Sequence, residues 1–519
     1  MDELPETLDG TYEQTLRGVD KQKRDYAFRL FQCLVVSTRR LYVEELAELF
    51  ATQPNAETIP TFNACLRPEN PEESVLSACS TLVAVINIDG QKYVQFSHFS
   101  VREYLTSNRI ANSEHVSRFH VLPRPAHAFL ARACLSALFQ FDGRIDRNKI
   151  RNFPLTVYAS QYWVDHAQFE NVSSDIQHEM KCLFDKNKPH FAAWLRLYNI
   201  DNPRAFHRPH RYPVPLYYAA LCGFRDIAEY LCDAHPQDIN ARGGIRETPL
   251  HAAVDNGHLD VAMLLMERGA DVESLDSQNM TPLHIASSRG YAEVVTLLII
   301  RGADRNAEEV KQASPLHLAS EKGHDKIVRL LLDHDALANH PDNSGRTPLH
   351  YASREGRNDT VRLLLDHGAV ANHPDKYGRT PLHDASLLYH NDTAWSLLNR
   401  GAVVNQPDNS GRTPLYLASR KGYNGTVRLL LDHGAAVNQP DSSGWTPLHH
   451  ASREGHKDTV QLLLDHGAVA DHLDKYGRTP LHLASLHGRN DIVQLLLNHG
   501  AKHPDNHGRT PLRPASGSQ

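Results

Sequence analysis

Thirty-three histidines and seven cysteines give this chain the raw material for a metal centre or a nucleophile, so their spacing is the first thing to read. The cysteines (Cys33, Cys65, Cys79, Cys134, Cys182, Cys222 and Cys232) are odd in number, include no CxxC pair and stop before the middle of the chain. Most fall inside apolar helical patterns, which predicts reduced thiols rather than a disulfide framework. No G-x-S-x-G, no H-E-x-x-H and no G-x-G-x-x-G after a strand is present, so the common hydrolase, metalloprotease and dinucleotide patterns fail. The histidines sort into two sets. His251, His284, His317, His350, His383, His449 and His482 end the tetrapeptide [Thr/Ser]-Pro-Leu-His, while His367, His433, His466 and His499 each precede a glycine. One histidine every 33 residues spreads ligands along the chain instead of gathering them around one ion, so no metal and no cofactor is expected. The second set belongs at helix C-termini, where the dipole favours it.

That spacing is itself the larger signal. Thr-Pro-Leu-His or a variant begins at Thr248, Thr281, Ser314, Thr347, Thr380, Thr413, Thr446 and Thr479, each 33 residues after the last. A degenerate copy, Val214-Pro215-Leu216-Tyr217, precedes them, and a further start at Thr510 follows after 31. Each part of the unit has a physical task. In Asp342-Asn343-Ser344-Gly345-Arg346 the Asp and Gly favour a tight turn. Thr347 is placed to cap a helix and Pro348 to begin it. Leu349 and Ala352 give a small apolar face, and Gly356 ends the helix. Val361, Leu364 and Leu365 then line a second helix that stops at Gly368. One unit cannot bury its own face, but stacked neighbours share a continuous core.

A period of 33 with Thr-Pro-Leu-His resembles the ankyrin repeat, which implies a hairpin turn, two antiparallel helices and a curved stack. The resemblance also implies a structural hydrogen-bonding role for the histidine. The copies from Asp342 to Asp474 are near-identical, with fingers alternating between Asn-Ser or Ser-Ser and Lys-Tyr types. The copy beginning at Asp375 departs most, with Tyr389 in place of the capping glycine. The copy from Asp505 reaches Gln519 without completing its helices. An array without a proper C-terminal cap is therefore expected to fray first around Leu483, Val493 and Leu497.

The first part reads differently. Ala27, Leu30, Phe31 and Leu34 make one helical stripe and Val43, Leu46, Ala47 and Phe50 a second. Asn70-Pro71-Glu72-Glu73 starts a third helix, and Asp89-Gly90 separates two strand-like runs, a hairpin signal. Ser100 with Glu103 suggests a capping box for another helix. Three helices and a hairpin outline a winged helix. The runs from Leu4 to Leu8, Tyr26 to Leu34, Val43 to Ala47, Pro71 to Glu73 and Phe96 to Leu105 resemble the segment after the NACHT domain of fungal STAND NTPases. That resemblance implies a winged helix, a helical region and ankyrin repeats. Its nucleotide-binding P-loop, G-x-x-x-x-G-K-[ST], is absent, so the chain is expected to begin after the NTPase domain and to bind no nucleotide by that mechanism.

The predicted fold class is mainly α: a winged-helix domain over 1–112, a helical linker over 113–205, and an ankyrin solenoid over 206–519 with about nine copies and a truncated last one. Net charge is −6, from 55 basic and 61 acidic residues, too balanced to hold a nucleic-acid backbone over the whole chain. The third helix opens on Glu72 and Glu73 and carries no Lys or Arg, which argues against a DNA-reading helix. No apolar run reaches the roughly 18 to 20 residues of a membrane span, and the acidic start is unlike a signal peptide. The expected function is a non-enzymatic, cytoplasmic scaffold binding protein partners, with the nucleus left open. The alternative is a regulatory fragment acting in trans with a full-length NTPase through the winged helix. Partner contacts are expected on a concave face, from Arg346, Lys376, Tyr377, Arg379, Arg412, Trp445, Lys475, Tyr476 and Arg478.

Overall fold

The computed structural model describes residues 8–49, 51–53, 61–62, 67–141, 150, 152–201 and 213–501. Residues 4–7, Phe50, Cys65, residues 202–212 and the copy from Asp505 onward lie outside the described residues. The chain divides into two compact units, Met1–Asp271 and Val272–Gln519.

In the first unit, helices α1 (Leu8–Arg17), α2 (Arg24–Val36), α3 (Val43–Leu49) and α4 (Pro71–Cys79) accompany a hairpin of β4 (Val83–Ile88) and β5 (Gln91–Phe96). The strand β1 (Leu41–Tyr42) lies between α2 and α3 and pairs antiparallel with β5, Leu41 opposite Val94 and Tyr42 opposite Tyr93. The sheet order is β1-β5-β4, and a separate short pair joins β2 (Thr52–Gln53) to β3 (Thr61–Phe62). Asp89 (φ 52°) and Gly90 (φ 81°) both take left-handed geometry at the hairpin tip, as a tight primed turn requires. Asn70 accepts the Glu73 amide and so caps α4. One expectation fails here. Helix α5 (Phe99–Leu105) is capped by His98, whose ring accepts the Ser100 amide, and the Ser100 hydroxyl instead meets Tyr12 Oη at 2.7 Å.

Helices α6 (Asn108–Ala111), α7 (Pro123–Leu138) and α8 (Leu155–Gln168) follow. Each helix buries an apolar stripe: Leu130, Ala133, Cys134 and Leu138 on α7, Tyr158, Ala159 and Trp163 on α8. Trp163 stacks edge-on against Trp194 at 5.2 Å and tilts against Phe224 of the first repeat copy at 5.5 Å. Gln168 Nε2 donates to the Cys222 carbonyl at 2.7 Å. The aromatic content of this region is therefore core rather than a ligand cage. The six described cysteines are all free thiols.

The second unit is a stack of helix pairs, of which Pro348–Arg354 with Asn358–Asp366 is typical. Thr347 and His350 cap the first helix reciprocally: the ring Nδ1 accepts the Thr347 amide at 3.1 Å and lies 3.0 Å from its hydroxyl. With Nδ1 an acceptor, Nε2 carries the proton and donates to the Arg379 carbonyl of the next copy at 3.1 Å. The family-implied histidine role is thus a strut between neighbouring copies. His317, His383 and His449 make the same bridge to Arg346, Arg412 and Arg478. A second ladder uses asparagine: Asn372 donates to the Gly401 carbonyl at 2.9 Å and accepts the Val403 amide at 2.7 Å, and Asn405 and Asn438 repeat it. His367, His433, His466 and His499 each donate back to a carbonyl four residues earlier in the second helix.

The glycine that ends a first helix sits under a side chain of the next copy. A Cβ at Gly422 would lie 2.5 Å from the His456 ring, and one at Gly356 2.4 Å from that of His390. Tyr389 occupies the corresponding place with φ 67°. There the covering residue is Tyr423, and the two rings pack at 5.1 Å. The departure in one copy is answered by a departure in the next.

Candidate functional site

The fingers that join successive copies are built on one carboxylate each. Asp408 Oδ1 accepts the amides of Ser410 and Arg412 at 2.8 and 3.0 Å, and its own amide donates to the Arg412 carbonyl at 2.9 Å. Asp342, Asp375, Asp441 and Asp474 do the same. The fingers are also tied to each other: Lys376 N donates to the Ser344 carbonyl, Asn409 N to Tyr377 and Ser442 N to Ser410, at 2.8 to 2.9 Å. These turns hold their side chains at fixed intervals along one face.

The residues expected to bind a partner divide by what the turn does with them. Lys376, Tyr377, Lys475 and Tyr476 are exposed at fingertips, Tyr377 at 57% and Tyr476 at 68%. The arginines one residue past the glycine are half-buried and turn inward. Arg412 pairs with Asp408 at 2.7 Å, Arg478 with Asp474 at 2.9 Å, and Arg346 reaches Asp375 at 3.8 Å. Burial raises the Asp408 and Asp474 carboxyls, and the hydrogen bonds from Arg412 and Arg478 more than offset it, leaving both below the ordinary value. Arg379 lies over the Tyr377 ring at 5.4 Å. Trp445 is half-buried, donates its indole N–H to Asp474 Oδ2 at 2.9 Å, and carries Arg453 and Arg478 over its ring, both at 5.5 Å.

Other groups on this face were not singled out from the sequence. In three copies the residue after the Thr-Pro-Leu-His motif is polar and meets groups of the fingers: Tyr351, Asp384 and His450. Tyr351 Oη donates to Asp342 Oδ2 at 2.9 Å and lines a cleft of about 280 Å³ with Lys311, Glu321, Arg346 and Arg354. Asp384 is 5% exposed; burial pushes its carboxyl up to about 6 against the pull of Arg346. His450 receives Tyr416, which stands where other copies have the strut histidine. The Tyr416 hydroxyl donates to Asp441 Oδ2 at 3.0 Å and lies 2.5 Å from His450 Nε2. A period of 33 flags both positions as departures; the contact between them needed the stack.

The strut histidines are too buried to act as acids or bases near neutrality. Burial pushes His284, His317, His350 and His449 down to about 4, the hydrogen bond to a carbonyl acting the other way. Among the described residues, no group of three or more His, Cys, Asp or Glu side chains is placed to hold a metal ion. Among the described residues, too, no helix is long and apolar enough to cross a membrane.

Comparison with known proteins agrees with the periodicity. A family model described as ankyrin repeats (3 copies) matches in overlapping segments from 216–309 to 468–518. The chain is 30% identical over 291 residues to the azaphilone pigments biosynthesis cluster protein L of Monascus ruber, covering 52% of this chain and 60% of that protein. It is 42% identical over 66 residues to alpha-latrocrustotoxin-Lt1a of Latrodectus tredecimguttatus, and 45% over 60 residues to alpha-latroinsectotoxin-Lt1a of the same species. The chain spans three fifths of the length of the first relative and 5% and 4% of the two toxins.

Proposed function

The chain belongs to the ankyrin-repeat family, and on that premise we propose that it is a non-enzymatic, cytoplasmic scaffold whose finger face binds protein partners. The observation that carries this reading is the contrast within each finger. The carboxylate is spent inside the turn, whereas Lys376, Tyr377, Lys475 and Tyr476 stand exposed at the tips. Tyrosine and arginine, held rigidly, are side chains that dominate interface energies. Arg346, Arg379, Arg412, Trp445 and Arg478 form the inner edge of the same surface. A nucleotide, a nucleic acid or a membrane has no part in this proposal. The test compares proximity labelling by the full chain with that of a combined Lys376→Glu, Tyr377→Ser, Lys475→Glu, Tyr476→Ser variant. A second variant altered at exposed second-helix positions, Arg362→Glu and Arg428→Glu, is the control. Partners lost only with the finger variant support the reading; partners retained by it refute it.

We further propose a winged helix over 1–112, a linker over 113–205 and the repeats over 206–519, in the manner of the region after a NACHT domain. In support, β1 lies between α2 and α3 and pairs with the hairpin after α4. At α4, Glu72 meets Lys92 of that hairpin at 2.6 Å, an arrangement unsuited to a phosphate backbone.

A further inference from the structure

Around His450 the finger face changes character. Tyr416 from the preceding copy, Trp445 from the finger and His450 from the first helix make an aromatic floor, with rings 4.4 and 4.5 Å from His450. Arg412, Arg420 and Arg453 all bear electrostatically on that imidazole. The nearby carboxylates are already engaged: Asp408 by Arg412, Asp474 by Arg478 and Trp445, Asp441 by Tyr416 and the amides of Ser443 and Trp445. Arg420 makes no ion pair among the described residues, and Arg453 only approaches Glu454 at 3.9 Å. Two guanidinium groups are therefore in excess over an aromatic floor.

The floor also contains an unfinished hydrogen bond. Tyr416 has one hydroxyl proton, and Asp441 takes it, so His450 Nε2–H must donate to the tyrosine oxygen. That leaves His450 Nδ1 a bare acceptor, and it is buried without a partner although the residue is only 7% exposed. Such a group is costly to leave unsatisfied.

We propose that this patch is the anchor for a carboxylate side chain of an extended acidic segment in a partner protein, gripped by Arg420 and Arg453 beside Trp445 and His450. This deepens the finger-face reading and rests on it. Without a ligand, burial and then Arg420, with His449, Arg453 and Arg412, hold the His450 imidazole down to about 3. A carboxylate that neutralises the arginines removes their part of that pressure and leaves the larger one, burial, so the imidazole stays neutral and binding carries no proton linkage near neutrality.

The probe is a fluorescein-labelled oligo-glutamate peptide titrated into the full chain by anisotropy, with oligo-glutamine, a phosphoserine peptide and a labelled DNA duplex as comparison arms. Saturable binding of oligo-glutamate alone is expected, with the same affinity at about pH 8 and about pH 6, where the imidazole is neutral. Arg420→Ala with Arg453→Ala weakens it about tenfold or more, the usual scale for truncating charged anchors. Arg354→Ala, on the same face in an earlier copy, leaves it unchanged. Far-ultraviolet circular dichroism establishes that each variant is folded. Glutamate binding indifferent to Arg420 and Arg453, or tighter binding of the phosphopeptide or duplex, overturns the proposal. If oligo-glutamate fails while the fingertip variant still loses its partners, the anchor falls and the finger-face reading stands.

Discussion

Mild acid should unfold the repeat stack through its buried histidines. His284, His317, His350 and His449 are held at about 4, and His450 at about 3, mainly by burial. In the unfolded chain the same side chains titrate near 6.5. Between the two values the unfolded state binds more protons, so the stability these groups contribute is complete above pH 6.5 and falls with pH through that window. From pH 7 to pH 5 each histidine removes about 2 kcal/mol, and the five together about 9. Asp384 works in the opposite sense, because its folded value of about 6 lies above the unfolded one. Its protonation returns about 1 kcal/mol over the same interval. The net loss of about 8 kcal/mol is comparable with the whole stability of an ordinary domain. Urea titrations followed by circular dichroism at pH 7, 6 and 5 measure it, with His350→Gln as the reporter. That variant should lose about 2 kcal/mol less than wild type over the window. An unchanged urea midpoint at pH 5, or the same loss in His350→Gln, would refute the reasoning.

Three further outcomes follow from individual contacts. Asp408→Ala removes the acceptor for two amides and for Arg412, and should cost about 2 to 3 kcal/mol in urea unfolding; Arg412→Ala, which keeps the amide bonds of the turn but strips the buried Asp408 Oδ2 of its partner, should cost about 1 to 2. Tyr389→Gly relieves a left-handed tyrosine but strands Tyr423, so the single change should be within about 1 kcal/mol of neutral, whereas Tyr389→Gly with Tyr423→His should stabilise; a double-mutant cycle without coupling would refute the pairing. Asp471 stands where Asn339, Asn372, Asn405 and Asn438 form the ladder in earlier copies, and a carboxylate cannot donate to a carbonyl. Asp471→Asn should raise the protection of the Gly500 region in hydrogen exchange, by about 1 kcal/mol or less.

The repeat was legible because its determinants are short-range. Thr347, Pro348 and His350 lie within one helical turn, and the Asp342 turn closes within five residues, so their chemistry can be read without a fold. What the sequence hid was contact between copies or across strands. Leu41–Tyr42 is two residues long, too short for an alternating pattern, and becomes a strand only by pairing with β5. His98 caps α5 although the sequence favours Ser100, because Ser100 is claimed by Tyr12, 88 residues away. Arg412 and Arg478 were readable as interface arginines by type, yet an aspartate four residues earlier could have signalled that they are spoken for. Tyr416 and His450 were visible as departures, but only stacking brings them together.

Near-identical copies pose a registration problem, since the strut histidines and ladder asparagines fit any neighbour equally well. The Tyr389–Tyr423 contact removes that degeneracy. A tyrosine in the glycine place has a Cβ where a copy bearing His390 or His456 would put its imidazole, so among the near-identical copies from Asp342 to Asp474 the one with Tyr423 is the match, ring against ring. Tyr416 and His450 form a second such match one interface further on. These mismatched-to-all-others pairs act as keys along the stack, and misdocking by one copy would misplace both at once. In a chain assembled from interchangeable parts, the irregular residues carry the addressing, and the regular ones the stability.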